Sequence, residues 1–213
     1  MTNNICKQST RPLKTLFTEA LLLYGIYTFI SNIFFLIGYY LLPEGIMRNI
    51  PQATVFNSVF TNNSFWQEYL LTLLFNLIIM GGVIIFLNLD RIKNIPTSYI
   101  FPVSLGIMSG LISGTNSFLA SDLSKYSVRE GMALGLSIGN IEMIGYILII
   151  VATTGFAINN YTSWWNFSRK NKEKIKNYRE IRLSRNEILL LLFGISFILI
   201  AAFRETLMSF GNL

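Results

Sequence analysis

The chain has 213 residues, 52% of them hydrophobic and 13% charged, with a formal net charge of +6. A water-soluble domain carries about a quarter charged residues, so this composition excludes one. There is no His and only one cysteine, Cys6, which excludes imidazole-based metal, haem and triad chemistry, an internal disulfide and a cysteine metal cluster; we therefore expect no cofactor and no metal.

Residues 1–15 are polar and carry Lys7, Arg11 and Lys14, after which Ala20 to Pro43 holds no charge. That run is too long for a signal-peptide core, and it predicts an uncleaved first span over 18–42. Residues 44–67 form a loop with Pro51, the amphipathic stretch VFNSVF and the sequon Asn62-Asn63-Ser64, a triplet that also arises by chance. A second span is expected over 69–89, and the short turn Asp90–Asn94 makes it an antiparallel neighbour of a third over 97–120. The third span contains Pro102 and several Ser and Gly, so something other than lipid must face it. A charge-balanced loop, Ser121–Tyr126, leads to a fourth span over 131–158 whose one charge is Glu142.

Trp164 and Trp165 then stand where an interfacial aromatic belt places them. The basic segment that follows, a cytoplasmic loop over 164–186, reads as an amphipathic helix along the inner leaflet, with Ile175, Tyr178 and the Arg182 stem against lipid. A fifth span over 187–205 has few charge-free residues and needs length from its flanks. With the N-terminus inside, the inner segments hold 13 Lys and Arg and the outer ones hold four (Arg48, Lys125, Arg129 and Arg204), which sets the N-terminus in the cytoplasm. The reading is thus an all-α, polytopic transmembrane helical bundle of about five spans, one membrane domain over 1–213, multi-pass in the cell membrane. Its basic excess answers to anionic lipid, so membrane lipid is an expected partner and nucleic acid is not.

Two glycine triplets stand out, Gly106, Gly110 and Gly114 on the third span and Gly131, Gly135 and Gly139 on the fourth. A spacing of four makes each a bare helical stripe that lets another backbone approach, and we expect the two to face each other. Glu142 falls on the face of the second stripe, where a carboxylate must be paired, hydrogen-bonded or protonated. Antiparallel register sets it near Val103, beside Pro102, whose ring frees the carbonyl of Ser98; that carbonyl or Ser104 is its expected partner. Glu142 is then either a helix clamp or a proton or cation site. Arg204 and Glu205 point about 100° apart on a helix: either Arg204 snorkels outward while Glu205 faces the bundle, or both are solvated.

The stretch SIGNIEMIGYILIIVATTGFAI resembles the fourth-helix signature of the stage II sporulation protein M family of prokaryotic membrane proteins, written Pro-His-Gly-x-x-Glu. Gly139 and Glu142 match, while Ser137 and Ile138 replace Pro and His. TNSFLA is similar to the Asn-Gly end of the family's third helix, with Asn116 matching and Ser117 in place of Gly. AAFRETLMSF is similar to its closing Ala-Ala-x-x-Glu pattern through Ala201, Ala202 and Glu205, and the resemblance runs over about residues 60–210. It implies the fold, a prokaryotic plasma membrane, and importance for Glu142, Asn116 and Glu205.

The functional expectation is a non-enzymatic membrane subunit or scaffold, SpoIIM-like, assembling with itself or with other membrane proteins. The alternative is a transporter or channel component with Glu142 in the translocation path. An intramembrane enzyme is disfavoured because no nucleophile and base pair is visible in the sequence.

Overall fold

The computed structural model describes residues 11–48, 64–117, 127–137, 139–164 and 171–210. Cys6, Lys7, Pro51, VFNSVF, Asn62 and Asn63 of the sequon, the Ser121–Tyr126 loop, Ile138, Trp165, Arg169 and Lys170 lie outside the described residues. The protein is predominantly helical, an all-α membrane bundle. Helix α1 runs over Leu13–Leu41, α2 over Phe65–Leu87, α3 over Ile100–Gly114, α4 over Val128–Ser137, α5 over Asn140–Thr153 and α6 over Arg185–Ser209. A 3₁₀ turn at Thr97–Tyr99 leads into α3 and another at Thr154–Phe156 closes α5. The stretches Leu13–Leu41, Phe65–Leu87, Thr97–Gly114 and Arg185–Ser209 are each long and apolar enough to cross a bilayer.

The fourth predicted span, 131–158, is not one helix. It breaks between α4 and α5, where Gly139 takes φ +77°, a left-handed conformation that glycine adopts without steric cost. The stretch Asn140–Phe156 is the short apolar helix that remains. Every residue from Gly145 to Thr153 is buried, and a helix that is apolar all round belongs inside. Helix α5 is accordingly the centre of the bundle, packed by α1, α2 and α6. Ile147, Ile149, Ile150 and Val151 join Leu16 and Leu23 of α1, Ile84 of α2, and Leu190 and Ile198 of α6 in one core.

The predicted end of span three at residue 120 also moves, since α3 stops at Gly114. Pro102 sits in the first turn of α3 and does not break it, because the first N–H groups of a helix have no intrahelical acceptor to lose. Span five gains its length from the tail, as α6 continues through Arg204 and Glu205 to Ser209. Its start is set by a capping box, with Ser184 Oγ accepting from Glu187 N and the Glu187 carboxylate accepting from Ser184 N at 2.8 Å. Helix α2 contains a π-helical segment at Phe75–Met80.

At one end of the bundle lies a small sheet of order β2-β1-β3-β4, built from β1 (Asp90–Ile92), β2 (Ile95–Pro96), β3 (Asn159–Tyr161) and β4 (Lys172–Lys174). The β1–β2 hairpin turns through Lys93 and Asn94, both at positive φ, as a two-residue turn that matches strand twist requires. Strand β3 runs parallel to β1, and β4 antiparallel to β3 with Asn159 opposite Lys174. The basic segment is therefore not the expected amphipathic helix. Its described part is a strand, β4, and a 3₁₀ turn at Tyr178–Glu180. Lys172, Lys174 and Lys176 recur every second residue, the period of a strand.

Spans two and three are not the close neighbours that the Asp90–Asn94 turn suggested. Helix α3 packs along α1, while α2 rests on α5 and α6. The start of α1, the end of α2, the start of α3, the end of α5 and the start of α6 all meet at the sheet end. Arg11 donates to Val151 O at 2.9 Å and to Glu187 at 2.9 Å there, and Asn88 donates to Ile150 O at 3.0 Å. The three segments that charge counting assigns to one side thus lie together.

Candidate functional site

The glycines of α3 make its contact with α1. A Cβ on Gly106 would stand 3.0 Å from Tyr27 O, one on Gly110 would collide with Ser31 O and lie 2.9 Å from Phe34 Cβ, and one on Gly114 would collide with Phe35 O. Gly38 completes the seam from the α1 side, where a Cβ would stand 3.3 Å from the Gly114 backbone. The expected match between the two triplets is therefore corrected. Gly131 and Gly135 lie in α4, but Gly139 lies beyond its end and has nothing within 4 Å of its Cβ position. A stripe needs an unbroken helix to stay on one face, and the left-handed turn ends it. A second seam escaped the sequence reading: a Cβ on Gly145 of α5 would lie 2.9 Å from Gly194 O of α6, and one on Gly194 would lie 2.9 Å from Gly145 O. Each is a solitary glycine in its helix, so no repeat announces the pair.

The break at Gly139 positions Glu142. Asn140 opens α5 and its Oδ1 accepts from Tyr24 OH at 2.8 Å, tying the start of α5 to α1. Glu142 follows in the first turn of α5, where the positive end of the helix dipole favours a carboxylate. One turn later, Tyr146 OH donates to Glu142 Oε1, and the Tyr146 ring is held edge-on to Phe101 of α3 at 5.4 Å. The predicted partners are not used. Ser104 is exposed and donates to Phe101 O at 2.9 Å, and Ser98 donates to Asn88 Oδ1 at 2.5 Å near the sheet end.

Beside Glu142 is a cavity of about 240 Å³ between α1, α2, α3 and α5. Its polar pole consists of Glu142, Tyr146, Tyr27 and Ser109, with Tyr27 OH 3.5 Å from Ser109 Oγ. The remaining wall is apolar, with Met80 from the π segment of α2, Leu105, Met108 and Ile112 from α3, and Met143 from α5. None of the lining residues is basic.

Glu205 is exposed on the chain's surface, whereas its neighbour Arg204 is half-buried, the reverse of an outward Arg204 with an inward Glu205. Glu68 accepts from Ser209 Oγ. Asn116 lies elsewhere. It is buried at φ +49° just beyond α3, donates to Glu44 Oε1 at 2.7 Å, and its carbonyl accepts from Arg48 at 2.8 Å. Its role is to fasten the connection after α1 to the end of α3.

Two further polar centres hold the sheet end. Arg11 bridges Glu187 at 2.9 Å and Glu19 at 3.3 Å, and Asn186 donates to Arg11 O at 3.0 Å. Asn88, fully buried, joins Ser98, Ile150 O and Thr153 Oγ1. The Ser184-x-x-Glu187 capping box was readable from sequence, but its pairing with Arg11 spans nearly the whole chain. At the sheet, burial and then the neighbouring Arg91 push the Lys176 ammonium below its ordinary range. Compared with protein-family models, with curated proteins and with solved structures, the chain finds no match.

Proposed function

We propose that this chain is a non-enzymatic, multi-pass membrane subunit or scaffold of the SpoIIM-like kind that assembles with itself or with other membrane proteins. The observation that carries the reading is the use made of the Gly-x-x-Glu motif. Gly139 supplies a left-handed joint that breaks the helix, and Glu142, three residues on, is thereby placed in the first turn of a buried helix beside a cavity between the helices. A motif with a conformational reason for its glycine and a positional reason for its glutamate is what a family signature requires. The N-terminus and the sheet face the cytoplasm in this reading, where the basic strand β4 meets the anionic inner leaflet. The test is purification from native membranes in mild detergent, with native mass measurement. A complex heavier than one chain is expected; a monodisperse single chain with no co-purifying membrane protein overturns the reading.

A second reading, a permease-like component with Glu142 on the path, is favoured by the cavity beside Glu142. Transporter sites characteristically lie where a helix is interrupted within the membrane. Flux in proteoliposomes that disappears in Glu142→Ala is its expected signature, and absence of flux for any cation tested removes it.

A further inference from the structure

The cavity beside Glu142 has a chemical asymmetry that packing does not require, one acidic and hydroxylic pole against an apolar wall. We propose that it binds a small organic cation, a primary ammonium carried on a short aliphatic or aromatic stem. The lining holds one carboxylate and no Lys or Arg, and among the described residues no ion pair involves Glu142. In a medium of low dielectric a carboxylate gains more from a counter-ion than it does in water.

The hydrogen-bond inventory agrees. An ammonium offers three donors and no acceptor, and the pole offers acceptor oxygens on Glu142, Ser109 and Tyr27, while Tyr146 OH donates to the carboxylate and fixes its orientation. A divalent metal ion wants six or more oxygen ligands, more than one carboxylate and three hydroxyls supply. The apolar wall would also leave a bare ion facing thioether and aliphatic carbon. Methionine side chains at Met80, Met108 and Met143 instead adapt to an apolar stem, and the tyrosine rings attract a cation through their faces. Size selects the class further. An apolar cavity of about 150 Å³ takes benzene, so 240 Å³ suits a molecule modestly larger than benzene.

The inference goes beyond the subunit reading and does not depend on permeation: a chain that binds an amine without moving it leaves the site intact. The test is equilibrium dialysis of 2-phenylethylammonium against the full chain in phosphatidylcholine nanodiscs, with empty nanodiscs as blank and the neutral isostere 2-phenylethanol as comparison. Saturable binding of the ammonium, at least about tenfold tighter than the alcohol, is expected from the loss of a charged hydrogen bond in the latter. Glu142→Gln should weaken the ammonium by about the same factor and leave the alcohol unchanged. Ser109→Leu, which keeps Glu142 and fills the polar pole, should weaken both. Ammonium retention equal to that of empty nanodiscs, equal affinity for amine and alcohol, or wild-type ammonium affinity in Ser109→Leu overturns the proposal. The last comparison holds even if Glu142→Gln fails to fold.

Discussion

Glu187 illustrates how a single residue serves two levels of structure at once. Its carboxylate closes the capping box of α6 through Ser184 N and also accepts from Arg11, so its position is decided locally and its partner by the fold. Replacing it by Ala removes the cap and leaves Arg11 with Glu19 alone. Loss of one member of a buried pair costs several kcal/mol, and water reaching the 29% exposed Arg11 returns part of that, so Glu187→Ala should cost about 2 kcal/mol. Thermal unfolding in detergent checks this, and an unchanged midpoint would show that the pair contributes nothing. Glu142 was legible as a residue needing a partner, because an intramembrane carboxylate always does. Which partner was not legible. Only a straight fourth helix would set Glu142 near Val103, and the left-handed turn at Gly139 rotates and shifts everything after it.

The glycine seams belong to the scale of elements. The α3 stripe was visible as a repeat, and it does form a close helix contact, but with α1 and not with the fourth span. Sequence reveals a bare face; it does not reveal which helix meets it. Because a Cβ on Gly110 would collide with Ser31 O and crowd Phe35 N at 2.9 Å, Gly110→Val should separate α1 from α3 and cost about 1–3 kcal/mol, the range for overpacking. Gly25, whose Cβ position is open and exposed, supplies the contrast. Gly25→Ala should be neutral or stabilising by up to about 1 kcal/mol through helix propensity. Circular dichroism melts of the two variants separate a packing role from a general intolerance of glycine replacement. The sheet is the element that sequence reading missed outright. Its strands have two or three residues each, too few for alternation to be recognised, although Lys172, Lys174 and Lys176 carried a faint period of two.

At the scale of the whole molecule, the sheet gathers β1 and β2 from the turn after α2 with β3 and β4 from the segment after α5, at the end where α1 and α6 begin. The opposite end carries an aromatic cluster in which Phe65 meets Trp66, Phe203 and Phe210 edge-on at 5.3, 5.8 and 5.6 Å, an arrangement suited to a membrane interface. The two ends should therefore label from opposite sides of the membrane. In a Cys6→Ser background, Lys174→Cys should react with an impermeant thiol reagent only after the cytoplasmic face is opened, and Ser209→Cys in intact cells. Labelling of both from one side would contradict the bundle's topology.

The charge-free runs determined by themselves that the chain is a membrane protein and roughly where its helices fall, because burial in lipid demands long apolar helices whatever they pack against. They also singled out Glu142 as a carboxylate in need of a partner. Only the tertiary structure decided that the fourth span breaks, that α5 is central, that α1 and not α4 receives the glycines of α3, and that Tyr146 bonds the carboxylate at a cavity also lined by Ser109 and Tyr27. Those outcomes depend on close packing between elements distant in the chain, where lipid-like side chains look alike in sequence and differ only in the shape of what they meet.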